Sequence, residues 1–134
     1  MATIYETAAR AAAGREGTTQ LEDGSLSLDL SVPGSKKPGA NPEQLFAMGY
    51  AACFDNAVKV VARRMKLPLD SSETRATVAL VEAGEAYRLS VSIGLRTSGL
   101  TDEQAQELLQ AAHQVCPYSN ALRGDADVSV ELID

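Results

Sequence analysis

Asn41 to Ala62 reads NPEQLFAMGYAACFDNAVKVVA, and this stretch decides the fold. It opens with Asn-Pro-Glu, in which the asparagine can cap a helix, the proline suits its first position and the glutamate lies near the positive end of the dipole. Beyond Leu45 the residues are apolar nearly all round. The pattern predicts a long helix, ending before Pro68, that runs through an interior or an interface.

Strands are predicted on both sides of this helix. Before it, Ile4 to Ala8 mixes β-branched and aromatic residues, as edge strands do, and Ser25 to Val32 alternates apolar and polar residues. After it, Thr74 to Glu82 and Ala86 to Leu95 alternate in the same way around a short turn at Gly84. This second pair predicts a hairpin.

A second helix is predicted after Thr101, which forms a capping-box pattern with Gln104. Cys116-Pro117 should end this helix, and Asp127 to Ile133 alternates as a last strand. No strand–helix alternation requires a parallel sheet, so we expect an α+β fold in a single domain over residues 1–134, with an antiparallel sheet packed against both helices. The predicted inner stripe of the second helix is Leu108, Leu109, Ala112 and Val115.

Composition excludes several classes of protein. A net charge of −6 over 134 residues, without a basic face, argues against nucleic acid as a partner. The N-terminus lacks the pattern of a secretion signal, and no apolar run looks long enough to span a bilayer, so we expect a cytoplasmic protein. Thiols stay reduced there, so the two cysteines are either inert core residues or redox groups.

The residues alone leave the role of each cysteine open. Cys53 lies among apolar neighbours, where cysteine usually behaves as a small hydrophobe. Cys116 precedes Pro117 at a helix end, where amide donors of a following turn could lower a thiol pKa. No metal site is expected from two cysteines and one histidine, His113, which we expect at the surface. A Cys–His hydrolase pair, Cys116 with His113, has no other support.

Three motifs carry a family resemblance over essentially the whole chain: AAAGREG from Ala11, NPEQLFAMGYAACF from Asn41 and HQVCPYSNALRG from His113. Together they resemble the organic hydroperoxide resistance proteins of the OsmC-like superfamily. The resemblance implies an intertwined homodimer with sites at the subunit interface and a peroxidase acting in oxidative stress defence. It further implies re-reduction by a dihydrolipoyl dithiol, free or on a lipoylated protein, and the sequence itself shows no cofactor site, so no bound cofactor is expected. It implies catalytic roles for Cys53 as the peroxidatic cysteine, Cys116 as the resolving one, and Arg15 and Glu43 as charged partners of the thiol.

The chemistry of the reaction agrees with these residue types. Burial would raise the pKa of the Cys53 thiol, so a cation is needed, and the Arg15 guanidinium stays charged at any working pH. Glu43 would oppose ionisation of Cys53 unless bidentate hydrogen bonds pair it with Arg15. Walls for a bulky hydroperoxide are expected from Phe46, Tyr50, Phe54 and Tyr118.

The spacing of Glu43 and Cys53 bears on the assembly. Ten residues of straight helix span about 15 Å, too far for a shared site. Either the helix breaks, with Gly49 a candidate, or two copies cross near Met48 so that Glu43 of one chain meets Cys53 of the other, which we prefer. Two alternatives remain: a non-catalytic module that holds an apolar ligand in the same dimeric cavity, and a related peroxidase with a different substrate or an intermolecular disulfide.

Overall fold

The computed structural model describes residues 1–134, which divide into two compact units, Met1–Leu45 and Phe46–Asp134. Each unit has one three-stranded sheet. Helix α1, Pro42–Arg64, begins in the first unit and continues in the second. Two sheets and three helices confirm the predicted α+β class.

The first unit holds an antiparallel sheet of three short strands. The strand predicted over Ile4 to Ala8 is wrong, since pairing with the next strand starts only at Ala9. Ile4 is exposed without a partner, and a strand needs one whatever its side-chain preferences. The strand predicted from Ser25 to Val32 is present but shorter. The strands, in spatial order, are β1 (Ala9–Ala12), β2 (Thr18–Leu21) and β3 (Ser27–Asp29).

Helix α1 begins and ends where its sequence signals predict. Asn41 Oδ1 accepts from Gln44 N at 2.9 Å, and Gln44 Oε1 accepts from Asn41 N at 3.0 Å, which makes a reciprocal cap. The helix runs without interruption to Arg64, before Pro68. The alternative in which it breaks at Gly49 is therefore wrong.

Length and composition alone would allow α1 to cross a membrane, which corrects the expectation that no apolar run is long enough. Core helices of soluble proteins pass the same test. Six of its side chains are buried in the hydrophobic cluster of the second unit: Tyr50, Phe54, Ala57, Val58, Val61 and Ala62.

The second sheet is mixed, which corrects the prediction of a wholly antiparallel sheet. Strands β4 (Ser71–Ala83) and β5 (Ala86–Ser98) form the predicted hairpin, with Gly84 in its turn at φ 65°. Strand β6 (Asp127–Leu132) pairs with β5 in parallel. A parallel pair needs a crossover connection, and here two helices between β5 and β6 supply it.

These two helices are α2 (Asp102–Val115) and α3 (Pro117–Leu122). The predicted capping box of Thr101 and Gln104 is present at the start of α2. Pro117 does not only follow the end of α2; it occupies the first turn of α3, an element that the sequence analysis missed. The prediction that Val115 belongs to the inner stripe of α2 is wrong, because Val115 is exposed. The other members of the predicted stripe are buried: Leu108, Leu109 and Ala112.

Candidate active site

The structure brings the two cysteines together within the second unit. Cys53 lies in the middle of α1, and Cys116 lies at the junction that ends α2 and begins α3. Their Sγ atoms are 3.7 Å apart and both thiols are free. Cys116 is fully buried and Cys53 is half-buried. The arrangement is a dithiol with its two sulfurs in van der Waals contact, and Cys53 is the more accessible member.

The surroundings of Cys53 favour the neutral thiol. Burial raises the pKa of Cys53, a hydrogen bond from the Tyr118 backbone N–H lowers it, and the neighbouring Cys116 thiol raises it further. The net direction is upward. Ionisation near neutral pH therefore requires a positive charge in addition to the Tyr118 amide.

Four aromatic rings pack against one another, and three of them, Phe46, Tyr50 and Phe54, share a hydrophobic cluster with both cysteines. The Tyr118 ring centroid is 5.8 Å from that of Phe46 and 5.6 Å from that of Tyr50, and Tyr50 is 6.5 Å from Phe54. Tyr50 and Phe54 are fully buried in the core. An apolar pocket of about 370 Å³ opens beside the other two, and its lining consists of Phe46, Pro117, Tyr118, Ala121 and Leu122.

Gly49 allows this aromatic packing. A Cβ at position 49 would lie 2.7 Å from Tyr118 Oη and 3.3 Å from its Cζ. Ordinary carbon contacts need about 3.5 Å or more, so any larger residue must displace the Tyr118 ring. The glycine therefore sets how closely Tyr118 approaches α1.

Behind the cysteines lies a buried hydrogen-bonded chain. Tyr50 Oη is 2.6 Å from Ser119 Oγ, which is 2.8 Å from His113 Nδ1. His113 was expected at the surface, which is wrong: it is half-buried, with its ring centroid 6.5 Å from that of Phe54. Burial, and then the positive charge of Arg123, lower the pKa of His113, so the ring is neutral at neutral pH.

In the first unit, Arg15 and Glu43 form a bidentate ion pair, as their chemistry predicts. Arg15 Nη1 donates to Glu43 Oε2 at 2.6 Å, and Nη2 donates to Oε1 at 2.5 Å. These hydrogen bonds hold the pKa of Glu43 below its usual value against the effect of burial, and they raise the pKa of Arg15. The fork is thus a fixed, charged pair with 41% of the Arg15 side chain exposed.

A tight turn presents Arg15. It lies in a 3₁₀ turn, Gly14–Glu16, which is preceded by Ala13 at φ 62° and begins at Gly14 at φ 55°, both in the left-handed region. Lys37 Nζ donates to the Glu16 carbonyl at 3.0 Å, which ties the turn to the loop before α1. Such a conformation costs about 1 kcal/mol at an alanine, and strain of this kind tends to persist at functional sites.

Comparison with known proteins decides the family, because residues 33–131 match the family model described as OsmC-like protein. The chain belongs to the OsmC-like family. Within this family it is 42% identical to organic hydroperoxide resistance protein OhrB of Bacillus subtilis, over 96% of this chain and 98% of that one. At this identity and coverage, it also belongs with the organic hydroperoxide resistance proteins.

Solved structures agree with this assignment. A putative organic hydroperoxide resistance protein from Vibrio cholerae, with captopril bound in one of the active sites, has a TM-score of 0.93 and 49% identity over 98% of this chain and 94% of that one. An organic hydroperoxide resistance protein from Legionella pneumophila also has a TM-score of 0.93, with 39% identity over 99% of this chain and 100% of that one.

In this OsmC-like protein, the residues singled out from the sequence fall into two groups. Cys53 and Cys116 meet in the second unit, and Arg15 and Glu43 meet in the first. No three His, Cys, Asp or Glu side chains come together in a way that could hold a metal ion. Sequence reasoning missed Ser119, although its position three residues after Cys116, as His113 is three before, was a usable signal.

Proposed function

We propose that this OsmC-like protein is a cytoplasmic thiol peroxidase that reduces organic hydroperoxides to alcohols in oxidative stress defence. The observation that carries the proposal is the 3.7 Å separation between Cys53 Sγ and Cys116 Sγ. The names of its relatives, organic hydroperoxide resistance proteins from Bacillus subtilis and Xanthomonas axonopodis, support the substrate class.

The first step uses Cys53, the more accessible thiol. Its thiolate attacks one oxygen of the hydroperoxide, the O–O bond breaks, and the leaving alkoxide takes a proton to become an alcohol. Cys53 is then a sulfenic acid. The apolar pocket at Phe46 and Tyr118 suits an alkyl or fatty-acid chain better than hydrogen peroxide.

The second step uses Cys116. Its sulfur attacks the Cys53 sulfenic sulfur, the S–O bond breaks, and water leaves as the two cysteines join in a disulfide. A dithiol of the dihydrolipoyl type then exchanges with this disulfide, restoring both thiols and becoming a disulfide itself. No resident cofactor takes part in this cycle, and the reductant, free or on a lipoylated protein, is a partner.

The Arg15–Glu43 pair supplies the positive charge that Cys53 lacks. Glu43 holds the guanidinium fork in one orientation, so that Arg15 can stabilise both the thiolate and the oxygen on which charge develops in the transition state.

We assign this pair to the Cys53 of a second copy in a homodimer. Helix α1 is continuous, so Glu43 and Cys53 of one chain are separated by about 15 Å of helical rise. Met48, midway between them, has a relative exposure of 62%, which suits a contact between two copies. The assembly would then hold two sites.

Hydroperoxide consumption with dihydrolipoamide as reductant tests the proposal. Native protein should consume cumene hydroperoxide over many turnovers, and hydrogen peroxide more slowly. Cys53→Ser should be inactive, whereas Cys116→Ser should react once and accumulate oxidised Cys53. Turnover that survives in Cys53→Ser would refute the proposal.

The same pocket favours one rival, a module that binds an apolar ligand without chemistry. Such a module would bind its ligand with the same affinity in Cys53→Ser as in the native protein.

A mixture of two variants decides whether each peroxidase site is built from one chain or from two. Cys53→Ser and Glu43→Ala should each be inactive alone, and mixing them should restore one complete site per mixed dimer if Glu43 acts across the interface. Activity that stays absent after exchange of subunits would place both residues in one chain's site.

A further inference from the structure

Ser119 is a polar residue that the fold buries almost completely, with 1% exposure. It lies on α3, and its hydroxyl contacts Tyr50 on α1 and His113 on α2. A buried hydroxyl is costly unless its hydrogen bonds are made. Three helices therefore meet at one oxygen atom. We call the three residues joined there, Tyr50, Ser119 and His113, the Ser119 clamp.

The directions of the hydrogen bonds follow from satisfying every buried group. Tyr50 is fully buried, so its hydroxyl proton needs an acceptor, and Ser119 Oγ is the partner within reach. Ser119 then donates its own proton to His113 Nδ1, which a neutral imidazole can accept. The opposite direction would leave the Tyr50 proton buried without an acceptor. The clamp thus runs as one chain of donors from Tyr50 to His113.

The clamp joins the two segments that carry the sulfur atoms. Tyr50 precedes Cys53 by three residues on α1, and Ser119 follows Cys116 by three residues in the first turn of α3. Tyr118, which lies between Cys116 and Ser119 in the chain, places its backbone N–H where it lowers the pKa of Cys53. Fixing Ser119 to Tyr50 therefore fixes the segment from Cys116 to Ser119 against the helix turn that carries Cys53.

We propose that Ser119 is a positioning residue for disulfide formation, an inference that rests on the proposed function. Cys116 must bring its sulfur from 3.7 Å to about 2 Å of Cys53 while the S–O bond of the sulfenic acid breaks and water leaves. The clamp limits how far the Cys116 segment can move away. Without the clamp, the Cys116 sulfur spends less time within reach of the Cys53 sulfur. The sulfenic acid at Cys53 then lasts long enough for a second hydroperoxide to oxidise it further.

Two variants test the clamp. Ser119→Ala removes the shared hydroxyl, and Tyr50→Phe removes one arm with almost no change of volume, so the second variant decides if the first fails to fold. Ser72→Ala is the matched control, because Ser72 Oγ donates to Asp55 at 2.9 Å on the other side of α1. Rapid mixing with cumene hydroperoxide should separate oxidation of Cys53 from loss of the second thiol.

The expected result is a split between the two steps. In Ser119→Ala, oxidation of Cys53 stays within about twofold of native while disulfide formation slows about tenfold, the usual size of one lost hydrogen bond. In Tyr50→Phe, disulfide formation slows more than oxidation does. Sulfinic acid at Cys53, measured by mass, should rise in both clamp variants and not in Ser72→Ala. Native rates of disulfide formation in Tyr50→Phe, or equal slowing of both steps, would overturn the proposal.

Diamide keeps this test separate from the proposed function. It takes two hydrogens from the Cys53 and Cys116 thiols, becoming a hydrazine, and its second step is the same attack by Cys116. A native protein that ignores hydroperoxide yet closes its disulfide with diamide would refute the peroxidase. In that case the rate of disulfide formation with diamide would still test the role of Ser119. Slow formation in the clamp variants would support it, and native rates would contradict it.

Discussion

Cys116 Sγ lies 3.7 Å from Cys53 Sγ, although the two residues are 63 positions apart in the chain. A disulfide requires about 2.05 Å between sulfurs, so closure needs an approach of less than about 2 Å. One equivalent of oxidant should therefore link the cysteines within one chain. Peptide mapping without reductant measures this, and Cys116→Ser is the control. Covalently linked dimers as the main product would contradict it.

The Arg15–Glu43 fork predicts graded losses of activity. Arg15→Ala should lower kcat/KM by about 10² to 10³, as loss of a preorganised donor does. Arg15→Lys keeps the charge but not the fork, so its loss should be smaller but clear. Glu43→Gln should also reduce the rate, because the guanidinium is no longer held.

Arg10 offers the matched control for this prediction, since it lies on β1, pairs with Glu22 just after β2 and takes no part in the proposed chemistry. Steady-state rates with cumene hydroperoxide should be unchanged in Arg10→Lys. Equal losses at Arg10 and Arg15 would indicate a structural role for both.

Gly49→Ala should displace the Tyr118 ring, since its Cβ would lie 2.7 Å from Tyr118 Oη. Alanine favours the helix by about 1 kcal/mol relative to glycine, which offsets part of the steric cost, so the free energy of unfolding should change little. The rate with bulky hydroperoxides should fall. Tyr118→Phe removes the closest atom. The double variant should therefore recover much of the rate lost in Gly49→Ala, and a purely additive loss would contradict the steric explanation.

His113 predicts how stability depends on pH. Its pKa in the fold is lower than the usual value of 6.5 because of burial and then Arg123. Below pH 6.5 the unfolded chain binds a proton that the folded chain does not, so the free energy of unfolding falls as pH decreases, until the pH passes the folded pKa. The slope should stay under about 1.4 kcal/mol per pH unit, the limit for one proton.

Urea unfolding between pH 5 and pH 7.5 measures this slope. His113 is the only histidine, so His113→Gln should flatten the curve in that range. A slope that persists in His113→Gln would assign it to other groups.

Local signals in the sequence were sufficient for much of the fold. The cap at Asn41 and the capping box at Thr101 placed the starts of α1 and α2, because caps act within a few residues. Alternation found the β4–β5 hairpin. The family resemblance pointed to Arg15 and Glu43, and the chemical requirement for a paired cation anticipated the fork between them.

The features that the sequence analysis missed depend on distant partners. The parallel pairing of β6 follows from which edge of β5 remains open after the crossover, and alternation within β6 does not encode it. Helix α3 has only six residues, too few to show a helical period. The burial of His113 depends on Ser119 and Phe54 packing against it.

The parallel β5–β6 pair has a consequence for a chain emerging from the ribosome. Cys53 is translated early, whereas the crossover that carries Cys116 can close only after β6 has been made. At roughly 5 to 20 residues per second, the interval lasts several seconds. During that time the nascent chain carries a thiol at Cys53 whose partner is not yet in place. The topology thus makes the dithiol a product of completed translation, so that a truncated chain carries the first cysteine without its assembled counterpart.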